Sequence, residues 1–346
     1  MIRTILALLI AALLPAAAAG EMVVPEGFRT EVYVGGDGFG ATGVRPSHGI
    51  PSVSTLAFDD AGFLYLGRTG RRYSGGEAED VWPIYRVPPG GARMTPDTEQ
   101  RFFHGPPLPN GQVAGVRGGV EVLLTTHDRD RRVGVLYSLR DGRADLLAGG
   151  TPPRGSQPLL IQPEGAAVDS AGNVYVADRA ADAVVKLDRS GRVLDGRHVV
   201  LTRPRTLAID VEDHLWIGAD GPAQAPWQRG PGEIWRVAPG GQPTMVLRGV
   251  SPTAIAIGPR GHLFVADRHA GEIFVVGPDG TRREFIRFTD NDAPRGLCFA
   301  PDTRETRRAG IAGDLFIVRI HRGAWPVNEV VRVSGPFERR VIGRAP

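Results

Sequence analysis

Arginine supplies most of the chemistry this sequence could perform. Arg205 and Arg295 each directly follow a proline, Arg179 and Arg268 each directly follow a V-A-D run, and Arg68 and Arg322 end other short apolar runs. A guanidinium is a planar, permanently charged fork that meets a carboxylate through two parallel hydrogen bonds, so arginines gathered in one place favour an anion. The acids at comparable places are Glu164, after Pro163, and Asp178, Asp220 and Asp267, at the ends of apolar runs. Such carboxylates can hold calcium through oxygen, pair with the arginines, or cap their own turns. The histidines placed to accept a proton are His104 in FFHGPPLPNG and His127 in VLLTTHD, and His321 adjoins Arg322 in IVRIHRG. The single cysteine, Cys298, sits in the apolar run LCFA and reads as a small core residue rather than a nucleophile.

These residues recur because the chain repeats. PEGAAVDSAGNVYVADRAADAVVKLDRSGRVL, from Pro163, is four short strands joined by turns, and PTAIAIGPRGHLFVADRHAGEIFVVGPDGTRREF, from Pro252, has the same grammar. Looser copies begin at Val53, Val113, Pro204 and Pro294, which makes six units spaced by roughly forty to sixty residues. A unit that cannot bury its own faces must stack on its neighbours. Six four-stranded units closed into a ring predict an all-β, six-bladed β-propeller, a solution that leaves only short outer edges exposed. A seventh, degenerate blade in the long first unit is the alternative. The strand FRTEVYVGG, Phe28 to Gly36, precedes the first inner strand and is expected to pair into the last blade, with Val32 and Val34 on one face and Tyr33 on the other. Glycine- and proline-rich loops at Gly70 to Glu79 and Ala219 to Gly232 are expected over one mouth.

In such a ring the loops before each inner strand and after each second strand open on one end of the channel, where binding residues collect. Arg68, Glu164, Asp178, Arg179, Arg205, Asp220, Asp267, Arg268, Arg295, His321 and Arg322 are therefore expected around one funnel, with His127 alongside. Arg205 and Arg295 are expected as the principal contacts to an anion, because the preceding proline holds each near the axis.

The ends of the chain set its setting. Met1 to Ala19 combines a basic residue, an apolar run from Ile5 to Leu14 and an Ala17-x-Ala19 pattern, which predicts a cleaved secretory signal and a periplasmic or secreted protein. Residues 20–346 are then one domain and a monomer, with no later run long enough to span a membrane. The formal charge of +3 is spread among scattered arginines and acids, so nucleic acid is not an expected partner; a small molecule or a protein at the funnel face is.

The PxGxAVDxxGNVYVADxxxxxVxKxDxxG grammar, clearest over residues 163–300, resembles the NHL repeat and the gluconolactonase-type and strictosidine-synthase-type propellers. VPEGFRTEVYVGG, STLAFDDAGFLYLG and GIAGDLFIVRIHRGAW with NEVVRV resemble the opening and closing segments of glucose/sorbosone dehydrogenase-like propellers. The first resemblance implies a binding propeller of NHL or TolB-like kind, or a metal-dependent lactonase whose calcium ligands follow the inner-strand proline. Only Glu164 matches that ligand pattern, since Arg205, Thr253 and Arg295 stand at the other places. The second resemblance implies an oxidoreductase that holds pyrroloquinoline quinone (PQQ) and calcium, with Arg205, Arg268, Arg295 and Arg322 on the quinone carboxylates and His104 as the nearest match to the base. A zinc site of the amidating-lyase type needs three histidines, and only His127, His269 and His321 follow second strands. The expected function is thus ligand binding in the funnel, with the dehydrogenase and then the lactonase as alternatives.

Overall fold

A computed structural model describes residues 22–39, 49–69, 81–222, 230–277, 280–321 and 327–337. The leader segment, Arg322 and most of the two expected mouth loops lie outside the described residues, as does the side chain of His321. The second strand of each unit, such as Val174–Asp178 and Leu263–Asp267, is buried on both faces, which is why it reads as an unbroken apolar run. Val174 and Val176 pack toward the preceding unit while Tyr175 and Ala177 pack toward the following one. The apolar core among the described residues accordingly divides into six clusters, each joining two neighbouring blades.

The inner strands are Val53–Phe58, Gln112–Arg117, Pro163–Val168, Pro204–Ile209, Pro252–Ile257 and Asp292–Phe299. Each touches the next, and the last touches the first, so the ring closes at six and leaves no room for a seventh blade. Blades 2, 3 and 4 are antiparallel four-stranded sheets in sequence order. In blades 1, 3 and 4 the turn into the second strand is fixed by an aspartate: Asp59, Asp169 and Asp210 accept the backbone N–H of Phe63, Asn173 and His214, at 2.8, 2.8 and 2.9 Å.

The clasp forms as the sequence predicts. Arg29–Gly36 pairs antiparallel with Val327–Ser334 as the outer strand of blade 6, so both chain ends meet in one sheet. Met22–Val23 adds to the outer strand of blade 5. Two details differ from expectation. The register shifts between Val32 and Val34, so Tyr33 is an extra residue and the simple alternation fails: Val32 is exposed, while Tyr33 and Val34 are both buried. Among the described residues, blade 1 has three paired strands; Ala92–Met94, which follows its third strand, crosses to pair in parallel with Arg29–Gly36, and Phe103 bridges Tyr85 where an outer strand would lie.

Candidate functional site

A cavity of about 570 Å³ opens at the end of the channel where the inner strands begin, and all six blades line it. Its construction follows from one backbone irregularity. In blades 1, 3, 4, 5 and 6 the pairing between inner and second strands shifts register near the start of the inner strand, just after Val53, Pro163, Pro204, Pro252 and Pro294. A bulge of this kind re-aims a side chain. Ser54, Glu164, Arg205, Thr253 and Arg295 are the residues so placed, and each lines the cavity; Gln112 supplies blade 2.

A second tier stands outside this ring. The residue following the end of the second strand donates its backbone N–H to the carbonyl just before the inner strand: Thr69 to Ser52, Arg179 to Gln162, Asp220 to Arg203 and Arg268 to Ser251, at 3.1, 2.9, 3.0 and 3.3 Å. Thr69, Arg179 and Arg268 line the cavity together with His127 of blade 2. Asp220 stands against Arg179 and Arg205. The VADR repeats of blades 3 and 5 therefore do face one mouth at equivalent places.

Glu164 is the one carboxylate among the described lining residues, and both its oxygens accept hydrogen bonds. Oε2 accepts from Gln112 at 2.8 Å and from Arg205 at 3.2 Å, and Oε1 accepts from Gln162 at 2.8 Å. Burial pushes its carboxyl up, but Arg205, then Gln112, His127 and Arg179, outweigh burial and hold it below its ordinary value. Asp220 grips the other edge of Arg205, taking Nε at 2.9 Å and Nη2 at 2.7 Å, and also takes Arg179 Nε at 2.7 Å. Burial again opposes ionisation of Asp220 and the two arginines override it. Arg205, against burial, is pushed up by Glu164 and Asp220. Across the funnel, Arg295 Nη2 donates to Thr69 Oγ1 at 2.6 Å, and that hydroxyl donates to Ser54 Oγ at 2.9 Å.

Several expected site residues are placed elsewhere. Asp178 and Asp267 brace turns: Asp178 accepts from the backbone of Ile161, Gln162 and Ala181, and Asp267 from Ser251 and Ala270. Arg68 is buried in blade 1, stacked 3.4 Å over Trp82 and donating to Tyr85 at 2.7 Å, and it does not line the cavity. His104 lies between blades 1 and 2 against the ring of Tyr65, away from the funnel, where burial and then Arg86 lower its pKa; it is not placed as a base at this site. Of the two histidines expected as bases, His127 is the one that lines the cavity. Cys298 is half-buried, and desolvation pushes its thiol well up, which suits an inert core residue.

Sequence reasoning missed Gln112, Gln162, Thr69, Asn110 and Arg129, all lining residues. The available signal was positional: Thr69 directly follows its second strand, as Arg179 and Arg268 follow theirs. Among the described residues, five guanidinium groups, of Arg129, Arg179, Arg205, Arg268 and Arg295, line the cavity with one carboxylate, Glu164, which already has hydrogen-bond partners.

No protein-family model matches the sequence, and no curated protein matches it. Solved structures do. A putative gluconolactonase superposes with a TM-score of 0.55 at 13% identity, covering 90% of this chain and 94% of that one. The PQQ-bound aldose sugar dehydrogenase of Streptomyces coelicolor gives 0.53 at 13% identity, over 90% and 100%. A catalytically inactive virginiamycin B lyase from Staphylococcus aureus, with quinupristin, gives 0.52 at 13% identity, over 91% and 99%. The shared feature is the β-propeller fold. At this identity the likeness is one of fold, and function is argued from the site.

Proposed function

We propose that the protein binds a small organic anion bearing at least one carboxylate in the funnel, and that it does so as an exported, monomeric propeller. The observation that supports this reading is the charge of the lining among the described residues: five guanidiniums and one carboxylate, Glu164, which already accepts from Gln112, Gln162 and Arg205, in a cleft whose low-dielectric walls focus the field. Arg268 and Arg295 are the principal contacts. Arg205 is a positioning residue, because Glu164 and Asp220 already take its fork. Two propellers of this fold, the dehydrogenase with PQQ and the lyase with quinupristin, accommodate small organic ligands.

The metal-dependent alternative fits less well. Calcium needs six to eight oxygen ligands, whereas Glu164 is committed to Gln112, Gln162 and Arg205, and no group of three His, Cys, Asp or Glu suited to a metal occurs among the described residues. The arginines suit the carboxylates of PQQ, but the calcium that accompanies PQQ in the dehydrogenase resemblance finds no donor set among the described residues.

Isothermal calorimetry with PQQ, citrate, gluconate and glucose tests the proposal. Binding of one or more of the anions, weakening as salt is raised, is expected, with glucose silent. Arg268→Ala and Arg295→Ala should each weaken it by about tenfold or more, the loss of a charge-assisted pair. Glucose binding as tightly as the anions, or calcium bound tightly with no anion affected by either substitution, would overturn the proposal.

A further inference from the structure

A second cavity, of about 960 Å³, lies at the other end of the ring, where the inner strands of blades 3 to 6 end at Val168, Ile209, Ile257 and Phe299. Independently of what the funnel binds, we infer that this cavity is the docking groove for the chain's own residues 338–346, ERRVIGRAP, which close that end of the ring as a strap.

Apolar and acidic side chains share the lining. Ile209, Ile257, Phe299 and Phe337 line it together with Val211, which is 93% exposed, far more than any other large apolar side chain among the described residues. The charged lining residues, among those described, are all aspartates: Asp169, Asp210, Asp213, Asp302 and Asp314. Asp302 pairs with Arg307 at 2.5 Å, Asp314 with Arg332 at 2.6 Å, and Asp210 holds His214 at 3.1 Å. The other two are held by neutral groups. Asp169 accepts from the backbone and side-chain amides of Asn173, both at 2.8 Å, and from the Tyr175 hydroxyl; Asp213 accepts the backbone N–H and the hydroxyl of Ser170, at 2.9 and 2.5 Å. Neutral donors satisfy hydrogen bonding without cancelling charge, so this groove favours a cationic partner that also carries apolar side chains.

Such a partner is attached at the groove itself. Gly335, Pro336 and Phe337 belong to the lining, so the chain runs into the cavity at the last of the described residues. Phe337 is the anchor: it is buried, and its ring packs edge-on against Phe28 at 4.9 Å and Phe299 at 5.2 Å. The nine residues that follow lie outside the described residues. They carry Arg339, Arg340 and Arg344 against one acid, Glu338, with Val341 and Ile342 between the arginines. Guanidiniums complement the aspartates, and two branched apolar side chains complement Ile209, Val211 and Ile257. Nine extended residues reach up to about 30 Å, several times the edge of a cube of 960 Å³. Tethering at Phe337 gives the segment an effective concentration of about millimolar at the groove, so a site with a Kd of only about 0.1 mM is about 90% filled.

Hydrogen exchange on the full chain, read by mass spectrometry of the fragment spanning residues 338–346, tests the docking. Its backbone amides should exchange about tenfold more slowly than those of the same sequence as a free synthetic peptide, at any protein concentration, and the protection should shrink in about 1 M salt. Val211→Arg, which sets a like charge in the groove at an exposed position, should return the fragment to the free-peptide rate. The paired substitution Arg339→Glu with Arg340→Glu should do the same. In both variants exchange in the buried strand Val174–Asp178 should stay as in wild type, which shows that the fold is intact. Exchange at the free-peptide rate in the wild-type chain would overturn the inference. Protection that survives either variant would overturn it too, by placing the segment elsewhere, as would protection that rises with protein concentration, which would assign the groove to a second copy of the chain.

Discussion

Replacing Arg205 with alanine should destabilise the protein strongly, although the residue lines a binding cavity. Its guanidinium is held by Glu164 at 3.2 Å and by Asp220 at 2.9 and 2.7 Å, and the side chains of Arg205, Glu164 and Asp220 are only 15%, 9% and 2% exposed. Removing the cation leaves two buried carboxylates: Asp220 keeps Arg179 at 2.7 Å, and Glu164 keeps the amides of Gln112 and Gln162. Breaking a buried pair from one side costs about 3–5 kcal/mol, most of it the penalty of the charge left behind. At about 2 °C per kcal/mol for a domain of this size, the melting temperature should fall by about 6–10 °C. Scanning calorimetry measures this directly. The cause can be separated from lost packing: Arg205→Ala with Glu164→Gln and Asp220→Asn should recover part of the loss, because the stranded charges go with the arginine. The loss should also shrink at acid pH, where the stranded carboxyls can protonate. A variant melting within about 2 °C of wild type at neutral pH, below what one kcal/mol would produce, would refute the reasoning and return Arg205 to the role of a replaceable ligand contact.

Acid should weaken the wild-type fold through the same network. Glu164 and Asp220 have folded-state pKa values below their ordinary ones, so their contribution is present above the ordinary carboxyl range and is lost as pH falls through the lowered values. Between about pH 5 and about pH 2 the wild-type melting temperature should therefore fall more steeply than that of Glu164→Gln or Asp220→Asn, and parallel slopes would contradict the assignment. At the ring closure, Tyr33 packs edge-on against Phe316 at 4.7 Å, and its hydroxyl accepts the Gly90 N–H at 3.0 Å. Tyr33→Ala should cost about 3–5 kcal/mol in denaturant unfolding and Tyr33→Phe about 1 kcal/mol, whereas an unchanged midpoint for the alanine variant would show that the clasp does not carry the closure.

The sequence by itself determined the repeat, its number and the closure. Turn chemistry and strand alternation act over a few residues, so Asp169 with Asn173, or the buried run Val174–Asp178, announces its structure locally. The same locality identified the places from which Glu164, Arg205 and Arg295 reach the funnel, since each follows the proline of an inner strand. Only the tertiary structure decided what these charges do. Arg205 and Arg295 look alike in sequence, yet one is gripped by a carboxylate 41 residues away on the neighbouring blade and the other donates to Thr69, 226 residues away across the ring closure. Asp178 and Asp220 end comparable runs, yet one faces backbone N–H groups and the other faces two arginines. Gln112 was silent in the sequence because a glutamine gains meaning only from the carboxylate that orients it. Tyr33 turned inward because a single extra residue in the clasp overrode the alternation that its neighbours display. Pairing of this kind is settled by which blades the ring sets side by side, and that information is spread over the whole chain.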